Sequence, residues 1–228
     1  MSSNQCDVMV GEPINRDVVH PANSFSQEAM VPTRVTIFDY DDTILPSSWL
    51  TCIFSTRESL SQDMLEKLEK VDQTASTLLY EAIKCSTVII VTNAEEGWVE
   101  YSSRMFLPSV FRLLRFVTVR SARSRYATRF PQESGTWKKM TFSDELDPLW
   151  DHSGSVSVLS IGDSLLERDA VFSYEAANTG VIAKSIKMID VPNPTQLSMQ
   201  QQLICRSLQT MIASASKLDL KLTAQPSA

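Results

Sequence analysis

The chain has 228 residues, 43% of them hydrophobic, with a formal net charge of -6 and a sequence pI near 5.0. That is enough for one good-sized domain with a tail or two. The acidic balance argues against charge-driven binding to nucleic acid or membrane surfaces, and no apolar run approaches the roughly 18 residues of a membrane span.

Residues 1–32 mix Ser, Asn, Gln, Pro and Asp with little periodicity, and read as a disordered leader with no secretory character. The cysteines Cys6, Cys52, Cys85 and Cys205 stand far apart, so reduced thiols in an intracellular, cytoplasmic protein are expected, with the nucleus also open. Thr33 to Phe38 is a short run rich in β-branched residues and predicts a buried strand. Apolar positions from Leu60 to Ile83 recur at helical spacing, with Ser61 as cap. Thr87 to Val91 predicts a second strand. Asn93 with Glu96 three residues on predicts a helix start, running to about Pro108. Trp98, Tyr101 and Phe106 read as core packing.

Phe116 to Val119 predicts a third strand, and a looser section leads to a short helix opening at Trp137. Ser155 to Ile161 predicts a fourth strand, Leu165 to Ala176 a helix, Ser185 to Ile189 a fifth strand, and Pro194 to Ala213 a closing helix. Residues 33–213 thus form the core domain and 214–228 a flexible tail. Strands alternating with helices predict an α/β fold, with a parallel five-stranded sheet and helices on both faces. Ligands in such folds sit beyond the carboxyl ends of the strands. Asp39, Thr92 and Asp163 all fall there.

Asp39-Tyr40-Asp41-Asp42 packs three carboxylates into four positions. Like charges so close repel unless a cation compensates, and oxygen-only ligands suit Mg²⁺. Thr92 and Asn93 offer a hydroxyl and an amide beside a predicted helix N-terminus, which favours a phosphate. Lys138 or Lys139 could bring a positive charge to the same anion.

Four motifs in order resemble those of the haloacid dehalogenase-like superfamily of phosphohydrolases: D-Y-D-D-T at Asp39 to Thr43, Thr92 ending V-I-I-V-T, a lysine in W-K-K, and G-D-S-L-L-E at Gly162 to Glu167. The resemblance spans roughly residues 33–189 and implies a Rossmann-like sheet of order 5-4-1-2-3. It also implies a Mg²⁺-dependent phosphatase working through an aspartyl-phosphate. Asp39 would be nucleophile and metal ligand, and Asp41 general acid and base, with its carbonyl on the metal. Thr92, the Asn93 amide and Lys138 would bind phosphate. Asp163 would hold the metal and Glu167 would support its surroundings, with Asp169 a competitor for that place. The second acid, Asp41, favours phosphate esters over halides, because a halide leaving group needs no proton. Many phosphatases of the family have Gly where this chain has Asp42.

The gaps between motifs leave no room for a substantial cap domain, which by family analogy suits a macromolecular substrate. Arg104, Arg112, Arg115, Arg120, Arg123, Arg125 and Arg129 lie in a window with no acidic residue. They read either as a solvated face or as a docking patch for a phosphoprotein. The expected partner is therefore a phosphorylated substrate, with no nucleic acid and no membrane. The alternative is a non-catalytic module that binds a phosphorylated partner. No His/Cys set has zinc spacing, and no Ser/His/Asp arrangement is present.

Overall fold

The computed structural model describes residues 32–56, 59–150 and 154–223, so the expected leader lies outside the described residues except for Pro32. Thr33–Phe38 forms β1 and Thr87–Thr92 forms β2. Thr118–Ser121 is β3, Val156–Gly162 β4, Val181–Lys187 β5 and Leu218–Lys221 β6. All pair in parallel, in the order β3-β2-β1-β4-β5-β6. The expected strands keep their expected neighbours, but the sheet has six strands and not five. The sixth arises within the segment read as a tail. L-D-L-K is short and half charged, so it carries little strand signal until it pairs with β5.

Helices cover both faces. Gln62–Cys85 (α2) and Pro194–Ala213 (α8) pack on one. There Leu68, Val71, Leu78, Leu197, Ile204 and Leu208 bury against Phe38, Ile90, Leu159 and Ile161. On the other face Trp137, Phe142, Ala170 and Val171 bury against Val35, Ile37, Ile89, Val91 and Val158. They come from Ser134–Leu146 (α6) and Leu165–Ala177 (α7). Alternate residues of one strand thus feed different cores, so β1 must be apolar on both sides.

Ser47–Ser55 (α1) and α2 join β1 to β2, while Trp98–Phe106 (α3) and Pro108–Leu113 (α4) join β2 to β3. Ala122–Tyr126 (α5) precedes α6. Among the described residues no helix is long and apolar enough to cross a membrane. Cys52, Cys85 and Cys205 are free thiols, and Cys6 lies outside the described residues.

Three local expectations change. No helix starts at Asn93: Thr92 Oγ1 accepts the Ala94 amide at 2.9 Å, Ser121 Oγ donates to Ala94 O at 2.6 Å, and Gly97 turns the chain with φ 85° before α3 begins. These bonds take the amide and carbonyl that a helix there would need. The third strand starts two residues late, because Phe116 stays 57% exposed in a 3₁₀ turn. The fifth starts four residues early, because Lys184 is buried: its ammonium donates to Met211 O at 2.8 Å and Ile212 O at 3.1 Å, closing the end of α8.

Candidate active site

The parallel register places Asp39, Thr92 and Asp163 at neighbouring carboxyl ends, and the Asp39 amide donates to Ile161 O at 2.9 Å. Immediately beyond β1 the chain turns tightly. The amides of Ile44 and Leu45 both donate to Tyr40 O, at 2.8 and 3.1 Å. Side chains alternate through the turn. Tyr40 enters the core, and its hydroxyl meets Ser102 Oγ and Ser103 Oγ of α3, each at 2.8 Å.

Lys138 reaches the same place from the first half of α6 and is only 2% exposed. Its ammonium donates to Asp39 Oδ1 at 2.6 Å and to Glu167 Oε1. Burial works against the charge, yet the two carboxylates hold the lysine above its usual range. Lys139 is exposed, so of the two lysines in W-K-K it is Lys138 that meets Asp39. Glu167 is fixed by its own helix start. Ser164 caps α7, and its hydroxyl and amide donate to Glu167 Oε2 at 2.6 and 3.2 Å. Gly162 leaves the room this needs: a Cβ there would lie 2.5 Å from Glu167 Cγ. Asp169, the competitor, is exposed and pairs with Arg168.

Asp41 is held differently. Thr92 Oγ1 donates to its Oδ2 at 3.0 Å and Trp98 Nε1 to its Oδ1 at 2.9 Å. Thr92, expected to meet phosphate, here has its hydroxyl on the second acid. Trp98, expected as core filling, rests on the core but spends its indole N–H on Asp41. Tyr101 is 60% exposed and so is not core at all. The side-chain amide oxygen of Asn93, Oδ1, is buried with no hydrogen-bond partner.

Asp42 sits at φ 56°, the conformation that favours Gly and that Asp tolerates better than most. Its Oδ1 accepts the Ser48 amide at 3.0 Å, and Oδ2 accepts the Ser48 hydroxyl, so Asp42 caps the start of α1. No sequence signal marked α1, because its capping acid stands outside the usual spacing.

The electrostatics leave an excess of negative charge. Burial pushes Asp39 well above the carboxylate range, more than Lys138 lowers it, with Glu167 and Asp163 adding to the rise. Burial, then Glu167 and Asp42, lift Asp163 to about 6. Burial would raise Glu167 as well, but Lys138 outweighs it and holds Glu167 low. One buried ammonium against this set fits a further cation. Asp39 and Asp163, the Asp41 carbonyl and water make a hard oxygen donor set of the kind Mg²⁺ takes. The carboxylate of Asp41 already accepts two hydrogen bonds. Among the described residues no group of three or more His, Cys, Asp and Glu side chains forms a metal cluster, so any ion here depends on main-chain oxygen and water as well.

The arginines are largely engaged. Arg120 and Arg125 share Glu145 at 2.7 and 3.0 Å, and Arg123 meets Glu95 at 3.2 Å. Arg104, Arg115 and Arg129 lie over the rings of Phe111, Phe116 and Phe130.

No family model matches this chain, and no curated protein and no solved structure matches it either.

Proposed function

We propose that this chain is a phosphohydrolase of the haloacid dehalogenase-like kind, hydrolysing a phosphate monoester through an aspartyl-phosphate on Asp39. The observation that carries the proposal is the division of labour between two acids separated by one residue. Asp39 is bonded to a buried ammonium, whereas Asp41 is gripped by neutral donors from β2 and α3. A merely structural acid pair has no need of that difference.

An oxygen of Asp39 attacks phosphorus as the ester P–O bond breaks, and the leaving oxygen takes a proton from Asp41. Asp41 then takes a proton from water as that water attacks phosphorus. Phosphate leaves, and the Asp39 carboxylate is restored. Lys138 neutralises charge on Asp39 and on the transferring group, and Glu167 keeps the lysine in place. Thr92 orients Asp41, and the Asn93 amide is available to a phosphoryl oxygen. Mg²⁺, held by Asp39, Asp163 and the Asp41 carbonyl, would supply further charge neutralisation at the phosphoryl oxygens. Connections after β1 and β2 made of helices and turns alone, with no inserted strand among the described residues, support an open, capless site.

The test is p-nitrophenyl phosphate hydrolysis with Mg²⁺ or with EDTA, for the native chain and for Asp39→Asn. Mg²⁺-dependent turnover that disappears in Asp39→Asn supports the proposal. No turnover in the native chain, or turnover unchanged in the variant, removes it and leaves the non-catalytic binding module.

A further inference from the structure

Beyond β4 the main chain is fastened at three successive residues around Asp163. Gly162 O accepts the Met188 amide at 2.7 Å. Asp163 O accepts the Lys187 ammonium at 2.5 Å. The Ser164 amide donates to Glu167 Oε2 at 3.2 Å. The first two of these bonds come from the end of β5.

Lys187 is buried there, and its own main chain is held by both neighbouring strands. It stands opposite Gly162 of β4 and Lys221 of β6, and its carbonyl accepts the Leu222 amide at 2.8 Å. An ammonium has three protons to give. Those of Lys187 go to Asp163 O, to Met188 O at 2.9 Å and to Asp190 Oδ1. None is left for the Asp163 carboxylate, which among the described residues takes part in no hydrogen bond and no ion pair. Burying an ammonium is costly, and an apolar side chain would fill the same space. What an apolar side chain could not do is hold the carbonyl of Asp163. The same strand supplies a comparison. Lys184 is also buried, but its ammonium meets only carbonyls at the end of α8 and touches no residue of the site.

We propose that Lys187 is a positioning residue for a divalent cation at this site: it locks the main chain of Asp163 and leaves the Asp163 carboxylate unclaimed by any protein donor. This rests on the Mg²⁺ part of the phosphohydrolase reading and deepens it. Mg²⁺ demands near-ideal octahedral geometry with ligands at about 2.0–2.1 Å, so a ligand whose backbone can shift binds it poorly. Groups that hold a ligand in place typically contribute roughly ten- to a hundredfold to metal affinity. Charge and position act in opposite directions here. By charge alone, removing a cation next to Asp163 would tighten Mg²⁺ binding. Loss of the main-chain lock weakens it, so the sign of the change separates the two.

The experiment titrates the full chain with Mg²⁺ by calorimetry, without substrate, for the native chain, Lys187→Met, Lys187→Gln and Lys184→Met. Urea midpoints of the same four chains report the effect on the fold, and p-nitrophenyl phosphate turnover is followed alongside. Lys187→Met should raise the Mg²⁺ Kd by roughly tenfold or more. Lys187→Gln, which keeps a donor on a shorter chain, should fall between it and the native chain. Lys184→Met should lower the urea midpoint and leave the Kd at the native value. An unchanged or lower Kd in Lys187→Met, or an equal rise in Lys184→Met, overturns the inference and leaves the phosphohydrolase to its own test. If Lys187→Met does not fold, Lys187→Gln decides by the same sign. If neither folds, Lys187 serves the fold alone and the inference is overturned. A raised Kd without ester hydrolysis by the native chain removes the phosphohydrolase and leaves this inference standing. No Mg²⁺ binding by the native chain overturns the inference and the metal part of that reading together.

Discussion

Trp98 donates its indole N–H to Asp41 across 57 positions of sequence, at 2.9 Å. With Thr92 on the other oxygen, the carboxylate has one orientation and no freedom to swing toward Lys138. A hydrogen bond to a charged group contributes about 1.5–3 kcal/mol. Trp98→Phe keeps the ring and loses the donor. Turnover of p-nitrophenyl phosphate should fall roughly tenfold or more. With 2,4-dinitrophenyl phosphate, whose leaving group needs little help from a proton, the loss should be clearly smaller. Equal losses on both esters would show that the tryptophan does not act through Asp41.

Lys138 lies between two carboxylates in a site that water barely reaches. Removing one partner of a buried ion pair costs about 3–5 kcal/mol. Lys138→Met should therefore lower the urea midpoint substantially and abolish turnover. Adding Glu167→Gln removes one of the two stranded carboxylates and should recover part of the stability but none of the activity. If the double variant is no more stable than the single one, the pairing does not hold the fold in this way.

Asp163 has a folded pKa of about 6, above its ordinary value of 3.8. The folded chain therefore binds that proton more tightly than the unfolded chain does. The contribution to stability is fully present below the ordinary value and is lost as pH rises through about 6. In EDTA the native chain should accordingly lose Tm between pH 5 and pH 7 relative to Asp163→Asn. Mg²⁺ should stabilise more at pH 7, where the carboxylate is free of its proton. Thermal unfolding of both chains at both pH values, with and without the ion, checks the sign.

Asp42 combines a left-handed backbone with a cap on α1. The conformation disfavours ordinary residues by about 1–2 kcal/mol. Losing a cap costs about 0.5–2 kcal/mol. Asp42→Ala incurs both costs and Asp42→Gly only the second. Urea unfolding should therefore rank native above Asp42→Gly above Asp42→Ala. A glycine variant no better than alanine would remove the backbone part of the account.

The positions of Asp39, Thr92, Asp163 and Lys138 were legible because uninterrupted apolar runs announce central parallel strands, and Trp137 sets the phase of α6. Closing helix α8 was legible to the residue, since Asn193, Pro194 and Gln196 start it by purely local bonding. What stayed hidden depended on partners far along the chain. Asn93 and Glu96 carry a local helix-start signal that Ser121 overrides from β3. Lys184 looks like a surface residue until α8 offers its carbonyls. Helix α1 is anchored through Ser48 by an acid of the preceding turn, and Trp98 becomes a site residue only once α3 lies beside β1.

Tyr40 ties these pieces together mechanically. It stands between the two acids and enters the core, where Ser102 and Ser103 clasp its hydroxyl. The turn is thus riveted to α3 twice, through Tyr40 and through Trp98. Any tilt of that helix would carry Asp41 with it. For transplantation of this site to another scaffold, the smallest portable module is not the D-Y-D-D-T stretch. It is that stretch together with α3, two segments that have to travel as one part.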